Sequence, residues 1–269
     1  MKKIISLVLV VALAVLSIFS LNSCANPNPE DTLVCGVTEI PGLNERDENG
    51  EWTKGFETEF AMAVAEELGM KIKFVEIDWT QKYNEVNSGA IDAIWNGFTA
   101  NAAEKDGTAR KDLVDFSYGY MLNQQCVVVK ASELANYTGE DSLAGKTAIV
   151  EGGSAGEAYA TEVAGNTLTV ATQVDTFREV LTGGAQFAVV DVVLAQNIVG
   201  KGDFADLAIV EAIELESEVY AVGFKTGSDL VAKVNAAIKA LDEDGTLAEL
   251  AEKYGYENVV KVMEEIEFE

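Results

Sequence analysis

The stretch TAIVEGGSAGEAYATEV, residues 147–163, decides the fold class. Residues 147–150 are typical of a short strand, and residues 156–163 are typical of a helix. The glycine-rich segment between them, residues 152–156, is the kind of sharp turn that links a strand to a helix in α/β proteins. Such a turn also binds anions through backbone N–H groups at the helix start, although a tight turn needs glycine in any case.

The same alternation continues in both directions along the chain. Further strands are predicted at residues 33–37, 71–77, 91–95, 114–116, 126–130, 167–171, 187–191, 207–210 and 219–224. Further helices are predicted at residues 56–68, 82–88, 175–181, 192–199, 228–241 and 246–254. Strands that alternate with helices predict an α/β protein with largely parallel sheets. These elements are too many for one small sheet, so we expect two lobes.

The composition excludes several classes of function. The 269 residues include 45 Asp and Glu, 19 Lys and Arg and no His, which gives a formal net charge of -26 at pH 7. Without histidine the chain has no Ser–His or Cys–His nucleophile and no imidazole metal site. A surface this acidic repels phosphate backbones, so we expect no nucleic-acid partner. We also expect no metal, no cofactor and no catalytic residue, and we predict that the protein is not an enzyme.

The first 24 residues have the pattern of a lipoprotein signal peptide. Two lysines precede an almost purely apolar run at residues 4–21, which is the order of a secretory signal. Residues 21–24, LNSC, resemble a bacterial lipobox. That resemblance implies that residues 1–23 are removed and that the Cys24 thiol carries a lipid. Residues 24–30 are predicted to be a flexible tether. A plain signal peptide and an uncleaved membrane anchor stay open as alternatives.

Two more cysteines, Cys35 and Cys126, lie in apolar runs that are typical of strands. An exported chain can hold disulfides, and free cysteine is also common in protein cores. The sequence therefore leaves two possibilities open, which are two buried free thiols and a bridge between Cys35 and Cys126.

Several segments in a fixed order resemble one known family. They are similar to motifs of the polar amino-acid-binding proteins of ABC importers, which are family 3 extracellular solute-binding proteins with the type II periplasmic-binding-protein fold. In chain order they are residues 53–60 (TKGFETEF), 88–99 (SGAIDAIWNGFT), 114–120 (VDFSYGY), 150–154 (VEGGS), the segment from Asp191, 220–228 (YAVGFKTGS) and 241–247 (LDEDGTL). The resemblance covers residues 31–256.

The resemblance implies an α/β fold of two lobes joined by two crossing strands, with the ligand in the cleft between the lobes. Lobe one is predicted at residues 31–126 and 219–269, and lobe two, with hinge strands, at residues 127–218. The protein is expected to bind a free, polar L-amino acid and to deliver it to a membrane permease with its ATPase. We expect a monomer that works outside the cytoplasm, held on the bacterial cell membrane by the lipid on Cys24.

The resemblance also implies residues for binding a zwitterion. Arg110 matches the family's arginine for the ligand carboxylate, and a guanidinium binds a carboxylate through two parallel hydrogen bonds. Thr99 and Ser154 match residues that contact the same carboxylate. Asp191 matches the acid that binds the ammonium group. Taken alone, Arg110 is also typical of a solvated surface, and Asp191 of a helix N-cap.

Three further residues are expected at the cleft. Trp79 matches an aromatic position that flanks the ligand, although a tryptophan alone is also typical of a core. Glu39 and Glu151 fall near the expected cleft, where they would favour a basic or polar ligand side chain. These three residues complete the predicted ligand-binding set.

One spacing departs from the family pattern. The family's arginine follows the threonine more closely than here, where Thr99 and Arg110 are 11 residues apart. Residues 102–108 therefore have the character of an insertion. Lys105 is an alternative source of the positive charge, because Glu104 and Lys105 imitate the family's Glu-Arg pair. We favour Arg110, since its spacing to the segment at 115–117 is preserved.

Two other functions compete with solute binding. A few relatives of this fold are cyclohexadienyl dehydratases, so a dehydratase-like enzyme is one alternative; the chain has no distinct acid–base group beyond the amino-acid clamp. A ligand-sensing domain of a signalling protein is the other, and it lacks the expected second membrane span and output domain.

Overall fold

The computed structural model describes residues 32–268 of the chain. The predicted signal peptide, the tether and Cys24 lie outside the described residues. Within residues 32–268, no helix has the length and apolar character needed to cross a membrane.

Strands and helices alternate along the described residues. The strands are β1 (Thr32–Val37), β2 (Glu45–Arg46), β3 (Trp52–Lys54), β4 (Lys71–Glu76), β5 (Ala93–Ile94), β6 (Asp115–Lys130), β7 (Thr147–Glu151), β8 (Asn166–Val170), β9 (Phe187–Asp191), β10 (Leu207–Ile209), β11 (Ser217–Phe224) and β12 (Val260–Met263). The helices are α1 (Phe56–Glu67), α2 (Lys82–Ser88), α3 (Ala155–Val163), α4 (Gln173–Thr182), α5 (Val192–Ile198), α6 (Leu230–Glu243) and α7 (Thr246–Tyr254). The hairpin of β2 and β3 and the strand β12 were not anticipated from the sequence pattern.

Strand β6 joins the two halves of the molecule. It pairs antiparallel with β11 as far as Gln124, and from Gln125 onward it pairs with β9. The prediction of two separate strands, at 114–116 and 126–130, is wrong, because the residues between them extend one strand of 16 residues. Those residues include glycine and polar side chains and lack an apolar pattern, but their backbone groups are paired with neighbouring strands, as buried backbone requires.

Lobe one is the half of the sheet that contains β1. Its strand order is β4-β1-β5-β11-β6, and β12 pairs with the first part of β6. Side chains alternate across β1: Leu33 and Cys35 face the core that includes α1, α6 and α7, whereas Val34 faces the cluster of Trp79 and Phe98. The sheet of lobe one is therefore covered on both faces.

Lobe two is the half of the sheet that contains β7. Its strand order is β8-β7-β9-β6, and β10 pairs with the last residues of β6. Val127 and Val189 face Ala160 of α3, whereas Val128 and Val190 belong to the core that also holds residues of α4 and α5. Helices on both faces are expected where β7, β8 and β9 run parallel.

Two strands cross between the lobes, β6 on the way out and β11 on the way back. Ser217, the first residue of β11, pairs with Gln124, directly before the point where β6 changes partner. This pairing supports a boundary between the lobes near residues 124–126 and 217–218. The exact first and last residues of each lobe stay predictions. Two strands side by side favour a hinge between the lobes.

The start of α1 requires glycine. Gly55 has φ +96°, and a Cβ built there would lie 2.2 Å from the carbonyl oxygen of Leu43. Phe56, Phe60 and Val64 then bury one face of the helix completely. The close approach of Gly55 and Leu43 fixes the start of α1 against the segment that follows β1.

The two remaining cysteines are free. Cys35 on β1 and Cys126 on β6 are both buried. No bridge joins them, so of the two arrangements that the sequence left open the structure has the free thiols. Burial raises the pKa of both thiols, which makes them poor nucleophiles.

Candidate functional site

Parallel strands of both lobes end at one cleft. In lobe one, β4 leads into Trp79, and in lobe two, β7 and β9 end at Glu151 and Asp191. The lobes meet here, since Lys82 Nζ of lobe one lies 2.8 Å from the carbonyl oxygen of Gly153 of lobe two. Ligands of open α/β sheets bind beyond the carboxyl ends of the strands. This cleft is therefore the candidate site.

Arg110 is a buried cation in the wall of the cleft, 1% exposed. Its Nε donates to Oε1 of Glu104 at 3.0 Å, and its Nη1 donates to the carbonyl oxygen of Thr99 at 3.1 Å. Its Nη2 donates across the cleft to the carbonyl oxygen of Gly153 at 3.3 Å. The guanidinium is thus held in one orientation between the lobes.

Lys105, the alternative to Arg110, lies on the surface. Its side chain is 61% exposed and pairs with Glu157 of lobe two at 2.8 Å. Glu157 is buried, but the lysine end of the pair is solvated, and such a pair adds little free energy. The burial of Arg110 and the exposure of Lys105 favour Arg110 as the cation of the site, and its role toward a ligand stays a prediction.

A second buried cation, Lys82, was missed by the sequence analysis. Its Nζ lies 3.4 Å from Oε1 of Glu104, the same oxygen that accepts from Arg110 and from the Tyr83 hydroxyl. Burial, with Arg110 nearby, lowers the pKa of Lys82 to about 8. Glu104 comes from the predicted insertion at 102–108, so that segment supplies the counter-charge of both cations.

Asp191 is a buried carboxylate whose described partners are neutral. Its Oδ1 accepts from Asn123 Nδ2 at 2.8 Å and from Gln125 Nε2 at 2.6 Å, and its Oδ2 accepts from Gln173 Nε2. It occupies the N-cap position of α5 but makes no capping hydrogen bond. Burial raises its pKa. No Lys or Arg within residues 32–268 forms an ion pair with Asp191.

A second carboxylate, Glu218 on the crossing strand β11, lies beside Asp191. Its Oε2 accepts from Asn123 Nδ2 at 2.7 Å and from Gln125 Nε2 at 3.0 Å, the two amide groups that also bind Asp191. It also accepts from the Thr99 hydroxyl at 3.2 Å. Burial and the charge of Asp191 raise its pKa. No sequence pattern predicts this pairing, because Glu218 and Asp191 are brought together by the pairing of β6 with β9 and β11.

The other residues predicted near Arg110 and Asp191 also have partners within the protein. The Ser154 hydroxyl caps α3 by accepting from the Glu157 backbone N–H at 3.0 Å. Trp79 is 5% exposed and packs edge-on against Phe98, with ring centroids 5.6 Å apart. Lys82 Nζ lies 5.3 Å from the Trp79 ring. The contacts predicted for Ser154, Thr99 and Trp79 with a ligand stay predictions.

The two additional acids differ in position. Glu39 follows β1 and is exposed, and its role toward a ligand stays a prediction. Glu151 ends β7 and is 3% exposed, and its Oε1 has no hydrogen-bond partner among the described residues. Burial and the charge of Asp191 raise the pKa of Glu151 to about 8. Of the two acids, Glu151 is the buried one, and its role toward a ligand also stays a prediction.

A known protein family matches most of the chain. The family description for bacterial extracellular solute-binding proteins, family 3, matches residues 33–257. The chain belongs to this family. The probable amino-acid-binding protein YxeM of Bacillus subtilis (strain 168) is 30% identical over 265 residues, which cover 96% of this chain and 97% of YxeM. The L-cystine-binding protein TcyJ of Escherichia coli (strain K12) is 28% identical over 233 residues, 86% of this chain and 85% of TcyJ.

Solved structures of family 3 proteins confirm the fold. An ancestral arginine-binding protein bound to arginine matches with a TM-score of 0.75 and 28% identity, over 84% of this chain and 99% of that one. The predicted family and the predicted two-lobe α/β fold are both confirmed. Among residues 32–268 of this family 3 protein, no group of three or more Cys, Asp or Glu side chains is placed to hold a metal ion.

Buried acids give this family 3 protein a predictable response to pH. Glu57 is completely buried, and both its oxygens accept from the Tyr120 hydroxyl, at 2.8 and 2.9 Å. Burial raises its pKa from 4.5 to about 7. A carboxyl whose pKa is higher in the folded state contributes stability below its unfolded pKa and loses it as pH rises through the folded pKa.

We therefore expect the protein to be less stable at pH 8 than at pH 5. In Glu57→Gln the loss of unfolding free energy between these two pH values should be smaller by about 2–3 kcal/mol. Urea unfolding followed by circular dichroism at both pH values measures it. Glu66→Gln, which removes an exposed charge from the same helix, is the control and should keep the full pH dependence. Equal pH dependence in Glu57→Gln and the unmodified protein would contradict the expectation.

Proposed function

We propose that the cleft binds one free L-amino acid, with Asp191 as the partner of its α-ammonium group. One observation carries the proposal: Asp191 is buried at the cleft, is held by three amide side chains and has no cationic partner among the described residues. A buried carboxylate in that situation is costly unless a cation pairs with it. An ammonium group satisfies this requirement, and Glu218 beside Asp191 adds to the attraction.

The α-carboxylate is assigned to the opposite side of the cleft. Arg110 presents its guanidinium there in a fixed orientation, and a guanidinium fork is complementary to a carboxylate. The start of α3, which Ser154 caps, lies next to Gly153, and a helix N-terminus favours negative charge. Thr99 completes this side, and Trp79 forms an apolar wall. Because Arg110 is in lobe one and Asp191 in lobe two, a zwitterion would hold the lobes together.

Family membership supports a role in import. We propose that the protein works outside the cytoplasm as a monomer and passes its amino acid to a membrane permease with its ATPase. The names of YxeM and TcyJ state amino-acid or L-cystine binding for those relatives. The comparison with them supports an amino acid, in preference to another solute, as the ligand of this chain.

A thermal-shift screen against the twenty L-amino acids and L-cystine tests the proposed function. The protein is first unfolded, dialysed and refolded, so that any co-purified ligand is removed. At least one amino acid is expected to raise the melting temperature, because a ligand that binds only the folded state stabilises it. The D-enantiomer of that amino acid is the control and should shift it less. No shift with any of the compounds would overturn the proposal.

The protein is proposed to bind its ligand without converting it. The competing hypothesis of a cyclohexadienyl dehydratase-like enzyme is tested by incubating the refolded protein with prephenate or arogenate. We expect no product above the rate of the buffer alone. Turnover that is lost in Asp191→Ala would establish the enzymatic function instead.

The membrane anchor is proposed from the lipobox-like residues 21–24. We expect mass spectrometry of the protein from membranes of a bacterial host to show a chain that begins at Cys24, with lipid on its thiol. In Cys24→Ser the protein should appear in the soluble extracytoplasmic fraction. A mature chain that starts elsewhere and carries no lipid would contradict the anchor, and it would leave the binding function untouched.

A further inference from the structure

We propose that the cleft selects an amino acid whose side chain carries a second positive charge, and that Glu151 binds that charge. The inference rests on the proposed function, because it names the ligand class of the same site. It begins from one buried protein atom that neither the α-ammonium nor the α-carboxylate group of the ligand is proposed to contact.

That atom is Oε1 of Glu151. The residue stands at the carboxyl end of β7, just before the turn at Gly153, and is 3% exposed. Its Oε1 is a buried side-chain oxygen with no hydrogen-bond partner among residues 32–268. A buried polar atom left without a partner costs about 1–3 kcal/mol. A donor from a bound ligand would complete the hydrogen bonding of this oxygen, which residues 32–268 leave open.

The charged groups that face Glu151 do not supply this donor. They are Asp191 of lobe two and the cations Lys82 and Arg110 of lobe one. Both cations are bound to Glu104 and to the carbonyl oxygen of Gly153. Asp191 is an acid, so it repels a charged Glu151. Neither Lys82 nor Arg110 forms an ion pair with the Glu151 carboxylate.

The balance of charge determines the class of ligand. The cleft contains two cations, Arg110 and Lys82, and Glu104 lies against both of them. Three further acids line the cleft: Asp191, Glu218 and Glu151. Asp191 and Glu218 accept from the same amide groups and together form the site proposed for the α-ammonium group. Glu151 is left over. A ligand with a neutral side chain leaves Glu151 protonated and its Oε1 without a donor, whereas a side-chain ammonium or guanidinium group supplies a donor and pairs with the ionised carboxylate.

The proton on Glu151 gives an independent signal. Because burial and Asp191 raise the pKa of Glu151 to about 8, its carboxyl group holds a proton at neutral pH in the absence of a cation. A cation beside it favours the ionised form. Binding of a cationic side chain should therefore release a proton from Glu151, in addition to any proton that Asp191 and Glu218 release.

Pairs of ligands that differ in side-chain charge test the proposal. Calorimetric titrations compare arginine with citrulline, lysine with norleucine and L-cystine with S-methylcysteine. Each pair keeps one set of α-groups. The first two pairs remove a guanidinium or an amine charge, and the third removes a second α-ammonium group together with its α-carboxylate, so the sources of the charge are told apart. In at least one pair the cationic member should bind about thirtyfold more tightly or better, as expected for a buried charge pair.

The variant Glu151→Gln should bring that ratio to within about threefold, while binding of the neutral member changes little. Glu162→Gln, which removes an exposed charge from α3 in the same lobe, is the matched control and should keep the ratio. Titration at pH 7.5 in phosphate and in Tris buffer measures proton release; the unmodified protein should release more protons than Glu151→Gln.

Three results would overturn the inference. One is equal affinity within all three pairs, which needs only the unmodified protein and so does not depend on folding of the variant. A second is a preference for the charged members that persists in Glu151→Gln. A third is an absence of any amino-acid binding in the thermal-shift screen, which marks a failure of the proposed function itself. If the protein binds only amino acids with neutral side chains, the proposed function stands, and the inference that Glu151 binds a positively charged side chain is overturned.

Discussion

Replacing Asp191 with alanine is expected to weaken amino-acid binding by about thirtyfold or more, with the protein still folded. The carboxylate is buried, and its described partners are the amides of Asn123, Gln125 and Gln173. Loss of the carboxylate leaves a ligand ammonium without its main counter-charge in a dry site, which costs on the order of 2–5 kcal/mol. Calorimetric titration with the amino acid found in the screen measures the change.

Glu218 makes this prediction sharper. Since it shares the donors of Asp191, it is placed to retain part of the attraction in Asp191→Ala. The double variant Asp191→Ala/Glu218→Gln should therefore bind more weakly than the single one. Asp203→Ala removes an exposed acid from lobe two and should leave the affinity unchanged. Normal affinity in Asp191→Ala would remove the basis of the whole pocket assignment.

Replacing Arg110 with alanine is expected to have an effect of similar size, about thirtyfold or more. The side chain is buried and fixed by Glu104 and by two carbonyl oxygens. Its loss removes the carboxylate partner and one contact between the lobes. Arg110→Lys should be intermediate, because it keeps the charge and loses the fork.

Lys105→Ala is the matched comparison for Arg110, since both residues are cations of the same loop region. Lys105 is exposed and touches only Glu157 among acids of the described chain, so its truncation should change the affinity by less than about threefold. The opposite result, with Lys105→Ala abolishing binding and Arg110→Ala retaining it, would contradict this assignment. It would show that Lys105 binds the carboxylate and that the insertion does not lie at residues 102–108.

The fold was largely predictable because its strands have strong local signals. The apolar run of β9 and the helical spacing of α1 identify these elements without tertiary information, and the predicted and observed bounds agree closely. The middle of β6 has no such signal. Its residues form a strand because both lobes supply strands to pair with, and a segment stabilised by distant partners has no local periodicity. The same reason applies to β12, which pairs only with β6.

The site was predictable where one residue has one role. Arg110 precedes and Asp191 begins a segment that resembles the family motifs, and both are buried; their roles toward a ligand stay predictions. Lys82, Glu104 and Glu218 were missed because each acquires its role through a partner that is distant in the sequence or lies in an atypical insertion. No pattern of spacing connects Glu218 with Asp191. The prediction for Glu39 stays open, because nearness to a strand end does not decide whether an exposed side chain contacts a ligand.

The central claim is that the cleft holds a free amino acid by both of its α-groups. The most direct measurement is a calorimetric titration of the refolded protein with the best amino acid, with its Nα-acetyl derivative and with its α-carboxamide. Both derivatives are expected to bind about thirtyfold more weakly or worse, because each leaves Asp191 or Arg110 without its charged partner in a buried site. Tight binding of either derivative, with an affinity close to that of the free amino acid, would contradict the account.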